Sequence, residues 1–242
     1  MPIKAWLDGE QPDLQRLAVL FADGDVRVLR DEASGTYYLT AMELNSAHEA
    51  DRVYVTVEAL LNRINGSART LTSDFRPVRY ARRYTTDDGE VIQPAAFQLT
   101  LRVGISASAV VRGPDGEPLP TSPPPAPTHL ALAASDVTVD RVLARMAGDL
   151  DWFNLFKVYE LVRDDPAKPS SIAGMGWATE NQQSAFRSSA NRPDVSGDDA
   201  RHAVSPNTTP PRRTMTLAEG ETWIRNLVSK WLAWKAGPTP NP

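Results

Sequence analysis

Gly113-Pro-Asp-Gly-Glu-Pro-Leu-Pro-Thr-Ser-Pro-Pro-Pro-Ala-Pro127 decides how the rest of the chain is divided. Proline lacks a backbone donor and fixes φ, so this run predicts neither helix nor sheet but an extended, semi-stiff joint. It also has the composition of a ligand for domains that read Pro-x-x-Pro segments. Working outward, the joint at 113–128 separates a mixed α/β domain at 1–112 from a helical domain at 129–242, which ends in a short disordered tail. The expected fold class is α+β: a small antiparallel sheet with one packed helix, then an all-α bundle of about four helices.

Before the joint, strand signals dominate. Leu17–Phe21 and Val26–Leu29 flank Asp23-Gly24, a pair suited to a hairpin turn with positive φ. Tyr37–Thr40 makes a third strand. Val53, Val57, Leu60, Leu61 and Ile64 fall at helical spacing and predict a helix over 51–65, with Asn65-Gly66 as its stop signal. A second hairpin runs from Pro77–Thr85 through Asp87-Asp-Gly-Glu90 to a strand over 97–111, where Phe97, Leu99, Leu101, Val103 and Ile105 alternate.

After the joint the period is helical. Thr138 is read as the cap of a helix presenting Val139, Val142, Leu143 and Met146, ended by Gly148. Asp149 or Asp151 starts another, through Arg163. Thr179 with Gln182, and Thr216 with Glu219, have capping-box spacing and open two further helices. The last carries Trp223, Ile224, Leu227, Trp231 and Trp234 on one broad face, with the Trp231/Trp234 end expected to be exposed.

Composition narrows function. The 26 basic and 30 acidic side chains nearly cancel. Neither half has the basic excess of a general phosphate-backbone binder, with 13 basic against 15 acidic residues at 1–113 and 13 of each at 129–242. There is no cysteine, which excludes disulfides, thiol nucleophiles and cysteine–zinc sites. His48, His129 and His202 are too few for a histidine-rich metal cage. Met1–Leu7 does not read as a signal peptide, and no run approaches the roughly 20 apolar residues of a membrane helix. The expectation is a soluble, cytoplasmic protein without cofactor or metal, and without a membrane partner.

One polar stretch concentrates chemistry. Phe186 to His202 gathers Asn191, Arg192, Asp194, Ser196, Asp198, Asp199, Arg201 and His202. Ser196 and Asp199 have the spacing of a helix start, which places Arg201 and His202 on a short helix. In the catalytic reading His202 is a general acid/base, while Arg201 and Arg192 hold a phosphate or carboxylate. Glu160 falls by helical periodicity near Trp152, Phe153 and Phe156, and Arg201 is its natural partner. A structural account stands beside this: a polar loop wrapped on the bundle, with Arg201 paired structurally and His202 a surface or capping residue. Arg76, Arg79, Arg82 and Arg83, interleaved with Tyr80 and Tyr84, similarly read either as a grip on single-stranded nucleic acid or as a solvated strand edge.

Trp152-Phe-Asn-Leu-Phe-Lys-Val-Tyr-Glu160, then Ala190-Asn191 and Ala200-Arg-His202 before a Trp-rich helix, resembles uncharacterised bacterial proteins with helical C-terminal halves. The helix is also similar to helices of the HEPN superfamily. That resemblance covers about 136–235. It implies an all-α bundle and, in its catalytic members, a metal-independent ribonuclease of toxin or phage-defence systems. His202, Arg201, Arg192, Glu160 and Asn191 are the residues such a site would use, with RNA as partner. Arg201 stands directly before His202 and Arg192 ten positions before it, spacings that depart from that superfamily's nuclease motif. The competing expectation is a binding or regulatory module acting through protein–protein contacts, with a protein partner or a second copy of the chain.

Overall fold

Alternation of buried and half-exposed residues in Lys4–Asp8 marks a first strand, β1, at the centre of the sheet. The computed structural model describes residues 3–46, 50–86, 89–92, 125–166, 171–204, 207–209 and 212–237. Two units are described in turn: the first from residues up to Ile64 and from Phe75 to Thr128, the second from Asn65–Asp74 and His129 onward.

In the first unit β1 is joined by β2 (Val26–Arg30), β3 (Tyr37–Ala41), β4 (Arg79–Thr85) and β5 (Val91–Ile92). They form an antiparallel sheet of order β2-β3-β1-β4-β5. Register places Trp6 opposite Tyr38, while Ala5 faces Tyr84 and Leu7 faces Tyr80 across an irregularity in β4. Arg82 sits within that irregularity at φ 54°, in the left-handed region that a side chain rarely occupies.

Leu17–Phe21, expected as a strand, is instead part of helix α1 (Gln11–Leu20) and its cap. Leu14, Leu17 and Phe21 are buried at spacings of three and four, whereas Val19 is exposed, so the helical period wins. Pro12 lies in the first turn, where its missing N–H costs nothing. Gly24 does take positive φ, but its turn joins α1 to β2 rather than two strands. Short α2 (Met42–Asn45) follows β3. The expected strand over 97–111 lies outside the described residues, as do His48, most of the joint and the C-terminal tail from 238.

The helix expected over 51–65 does not stop at Asn65-Gly66; α3 spans Ala50–Leu71. Gly66 is there for close approach: a Cβ on it would meet the Leu143 carbonyl oxygen at 2.0 Å. Within the second unit, Ser67 Oγ lies 2.9 Å from Nδ1 of buried His129, and the Arg69 guanidinium donates to the carbonyls of Met146 and Gly148. Burial pushes His129 down to about 4.

The last residues assigned to the joint, 125–128, are helical: α4 covers Pro125–Ser135. Its two prolines occupy the first turn, where helices tolerate them. Then come α5 (Val137–Ala147), α6 (Trp152–Asp164), α7 (Glu180–Asn191), α8 (Pro193–Ser196) and α9 (Leu217–Ala236). Asp136, not Thr138, caps α5 by accepting from the Thr138 and Val139 amides. Asp151 caps α6, and both anticipated capping boxes form. The four longer helices α5, α6, α7 and α9 enclose a core rich in aromatics, with Phe186 and Trp223 centroids 4.6 Å apart. Trp231, expected at an exposed end, is fully buried, and its indole N–H donates to Asp165. Among the described residues no helix is long and apolar enough to cross a membrane.

Candidate functional site

The polar stretch after α7 is built as a brace. Arg192 terminates α7 with an extended backbone, because Pro193 follows it. Its side chain is buried and its guanidinium forks onto Asp194, with Nε to Oδ1 at 3.1 Å and Nη2 to Oδ2 at 2.8 Å. Two further donors reach Thr208, through Oγ1 at 3.0 Å and the carbonyl at 2.6 Å. Ser196, expected to start a helix, donates instead to the Ser189 carbonyl, and the Ser189 hydroxyl accepts from the Met215 amide. A single 3-10 turn, Gly197–Asp199, replaces that helix, so Arg201 and His202 lie in an irregular segment beyond it. With its hydroxyl drawn back to α7, Ser196 makes no side-chain cap.

Arg201 returns to α7. Its amide donates to the Ala190 carbonyl at 2.8 Å, and Nη1 donates to Asn191 Oδ1 at 2.8 Å. The guanidinium lies 4.1 Å from the centroid of Phe156. Asn191 in turn donates to the Arg187 carbonyl. The structure therefore brings Arg201 and Asn191 together, with exposed His202 alongside in sequence. Glu160 is not Arg201's ion partner. It lies on an outer stripe of α6 with Phe153 and Lys157, and Lys157 Nζ holds its carboxylate at 3.0 Å. Tyr159, its neighbour, is the group turned inward, with its hydroxyl 3.3 Å from Gln183 Oε1. Among the described residues no group of three or more His, Asp or Glu side chains is placed to hold a metal ion.

In the arginine cluster of β4, Tyr80 and Tyr84 point into the core and burial raises both hydroxyls above their ordinary value. The arginines use other rings: Arg82 lies over Tyr54 and Arg83 over Trp6. The tyrosines interleaved with them are thus core residues rather than stacking platforms.

Two further features of the second unit bear on function, of which the first was not anticipated from the sequence and the second was anticipated in part. One is a groove of about 450 Å³ between the 173–179 loop, the first turn of α7 and one side of α9. It is lined by Ala173, Gly176, Trp177, Ala178, Thr179, Gln182, Trp223, Asn226, Leu227 and Lys230. Lys230 Nζ donates to the Trp177 carbonyl at 2.8 Å, tying loop to helix. The other is the C-terminal end of α9, where Trp234 is 42% exposed and meets Trp177 edge-on at 5.6 Å. There Lys235 bridges Asp136 and Asp165 at 2.6 and 2.8 Å. Burial works against the Lys235 ammonium, but its hydrogen bonds to both carboxylates and their charge outweigh it and raise its pKa. The spacing of Asn226 and Lys230 on one helix face was the available signal for the groove; the loop opposite them carried none.

No family model, no curated protein and no solved structure matches the chain.

Proposed function

We propose that the chain is a cytoplasmic, two-domain binding or regulatory module that acts through protein–protein contacts, with its helical domain self-associating at the Trp234 end of α9. One observation carries this reading: Trp234 is 42% exposed yet held in place, edge-on to Trp177 and beneath Lys235 Nζ at 5.6 Å. A large, pre-ordered indole buries much apolar area on contact with little entropy left to lose, which is how interface anchors work. Val137, 71% exposed, follows in sequence the Asp136 that Lys235 grips. A second copy supplies the same patch, so a two-fold contact is self-complementary. Sedimentation of the wild-type chain and Trp234→Ala tests this: the wild type should associate and the variant should not.

A second reading, a HEPN-like metal-independent ribonuclease of a toxin or phage-defence system, draws on the Asn191–Arg201 hydrogen bond beside exposed His202. His202 would be the acid/base, with Arg201 and Arg192 on phosphate, Asn191 orienting Arg201, and Glu160 at the margin. Arg192, with four N–H donors already engaged by Asp194 and Thr208, fits that role less well than a structural one. RNA incubated with the protein in EDTA should be cut, and His202→Ala should abolish the cutting; intact RNA rejects this reading.

A further inference from the structure

We propose that the groove between the 173–179 loop and α9 is a small-molecule site for a planar aromatic carboxylate. Its volume, about 450 Å³, is in the range of ligand pockets, and two mostly buried indoles, Trp177 and Trp223, form fixed apolar walls. Gly176, at φ 70°, presents no side chain at its place in the loop and has open space around it, so a flat ring has room there.

The polar side chains of the lining supply donors, and two are oriented by the fold. Gln182 Oε1 accepts from both the amide and the hydroxyl of Thr179 in the capping box, at 2.9 and 3.1 Å. Its acceptor oxygen is therefore committed, and the amide NH2 is left to donate. Lys230 spends one N–H on the Trp177 carbonyl and retains two. Asn226 lies one turn before Lys230 on the same face of α9 and adds a third donor group. Among the described residues of the lining, Lys230 is the one that carries a charge, with no acidic residue to compensate it. A ligand matching this arrangement is an anion with acceptor oxygens beside a flat apolar body.

The test uses the full chain and three probes of one shape: 2-naphthoate, neutral 2-naphthamide and cationic 2-naphthylmethylammonium. The readout is the six indole N–H signals in a two-dimensional NMR spectrum, assigned by single Trp→Phe variants. Naphthoate should shift the Trp177 and Trp223 signals saturably, with the other two probes weaker by about tenfold or more. Two variants reverse the donor set without touching the core. Gln182→Glu keeps a capping-box residue and replaces the donor with a carboxylate, and Asn226→Asp adds a negative charge at an exposed position. Each should weaken naphthoate by about tenfold or more. Equal binding of the three probes, saturable shifts confined to other indoles, unchanged affinity in both variants, or no saturable shift overturns the proposal.

Discussion

A Cβ on Gly66 would stand 2.0 Å from the carbonyl oxygen of Leu143 and 2.8 Å from its Cα, so α3 and α5 meet backbone to backbone. No rotamer change relieves such a contact, because the opposing atoms are main chain. Gly66→Ala gains about 1 kcal/mol of helix propensity. The clash forces the helices apart, at a cost in the upper part of the roughly 1–3 kcal/mol range of overpacking or beyond it. Urea unfolding should show a net loss of about 2 kcal/mol; equal or higher stability contradicts the packing described.

The pair Ser67–His129 makes stability depend on pH. Buried His129 stays neutral down to about 4, whereas in the unfolded chain it takes up a proton near its ordinary value of 6.5. Below 6.5 the unfolded state binds the extra proton and is favoured. Stability from this group is therefore fully present above 6.5 and is lost as pH falls toward 4. The loss amounts to about 3 kcal/mol. Unfolding free energies of wild type and His129→Gln, measured from pH 7 to 4, should converge as pH falls; parallel curves contradict the assignment.

The capping boxes and the α+β division were legible because their determinants are local. Thr179 with Gln182, and Thr216 with Glu219, need only three residues of spacing. Leu17–Phe21 was misread because its strand-like window begins after Pro12 and Leu14, the residues that reveal the helix. Asn65-Gly66 was misread because a stop signal is a local preference, overridden here by contact with Leu143. In the polar stretch, Asn191 and Arg201, close in sequence, are hydrogen-bonded, whereas the expected pairing of Arg201 with Glu160 does not form. Lys157 reaches Glu160 within one helical turn, without ordering a loop, and the Phe156 ring under Arg201 is a contact no spacing rule discloses.

The brace predicts an order of stability effects. Arg192→Ala strips four hydrogen bonds from a buried guanidinium site and should cost about 2–4 kcal/mol, with no rescue by lysine, which lacks the fork. Arg201→Ala, losing one hydrogen bond and one ring contact, should cost about 1–2 kcal/mol. His202→Ala should stay within about 0.5 kcal/mol. Thermal melts that reverse this order contradict the brace.

Glu160→Ala removes a half-exposed pair with Lys157 on one helix. Calorimetry should show a change of about 0.5 kcal/mol or less. A larger loss would mean that Glu160 supports the bundle interior.

Analytical ultracentrifugation of the full chain over a range of concentrations tests the binding-module account most directly. The account predicts a concentration-dependent shift from monomer to dimer that Trp234→Ala abolishes while far-UV circular dichroism stays unchanged. A wild type that sediments as a monomer throughout, indistinguishable from Trp234→Ala, contradicts it.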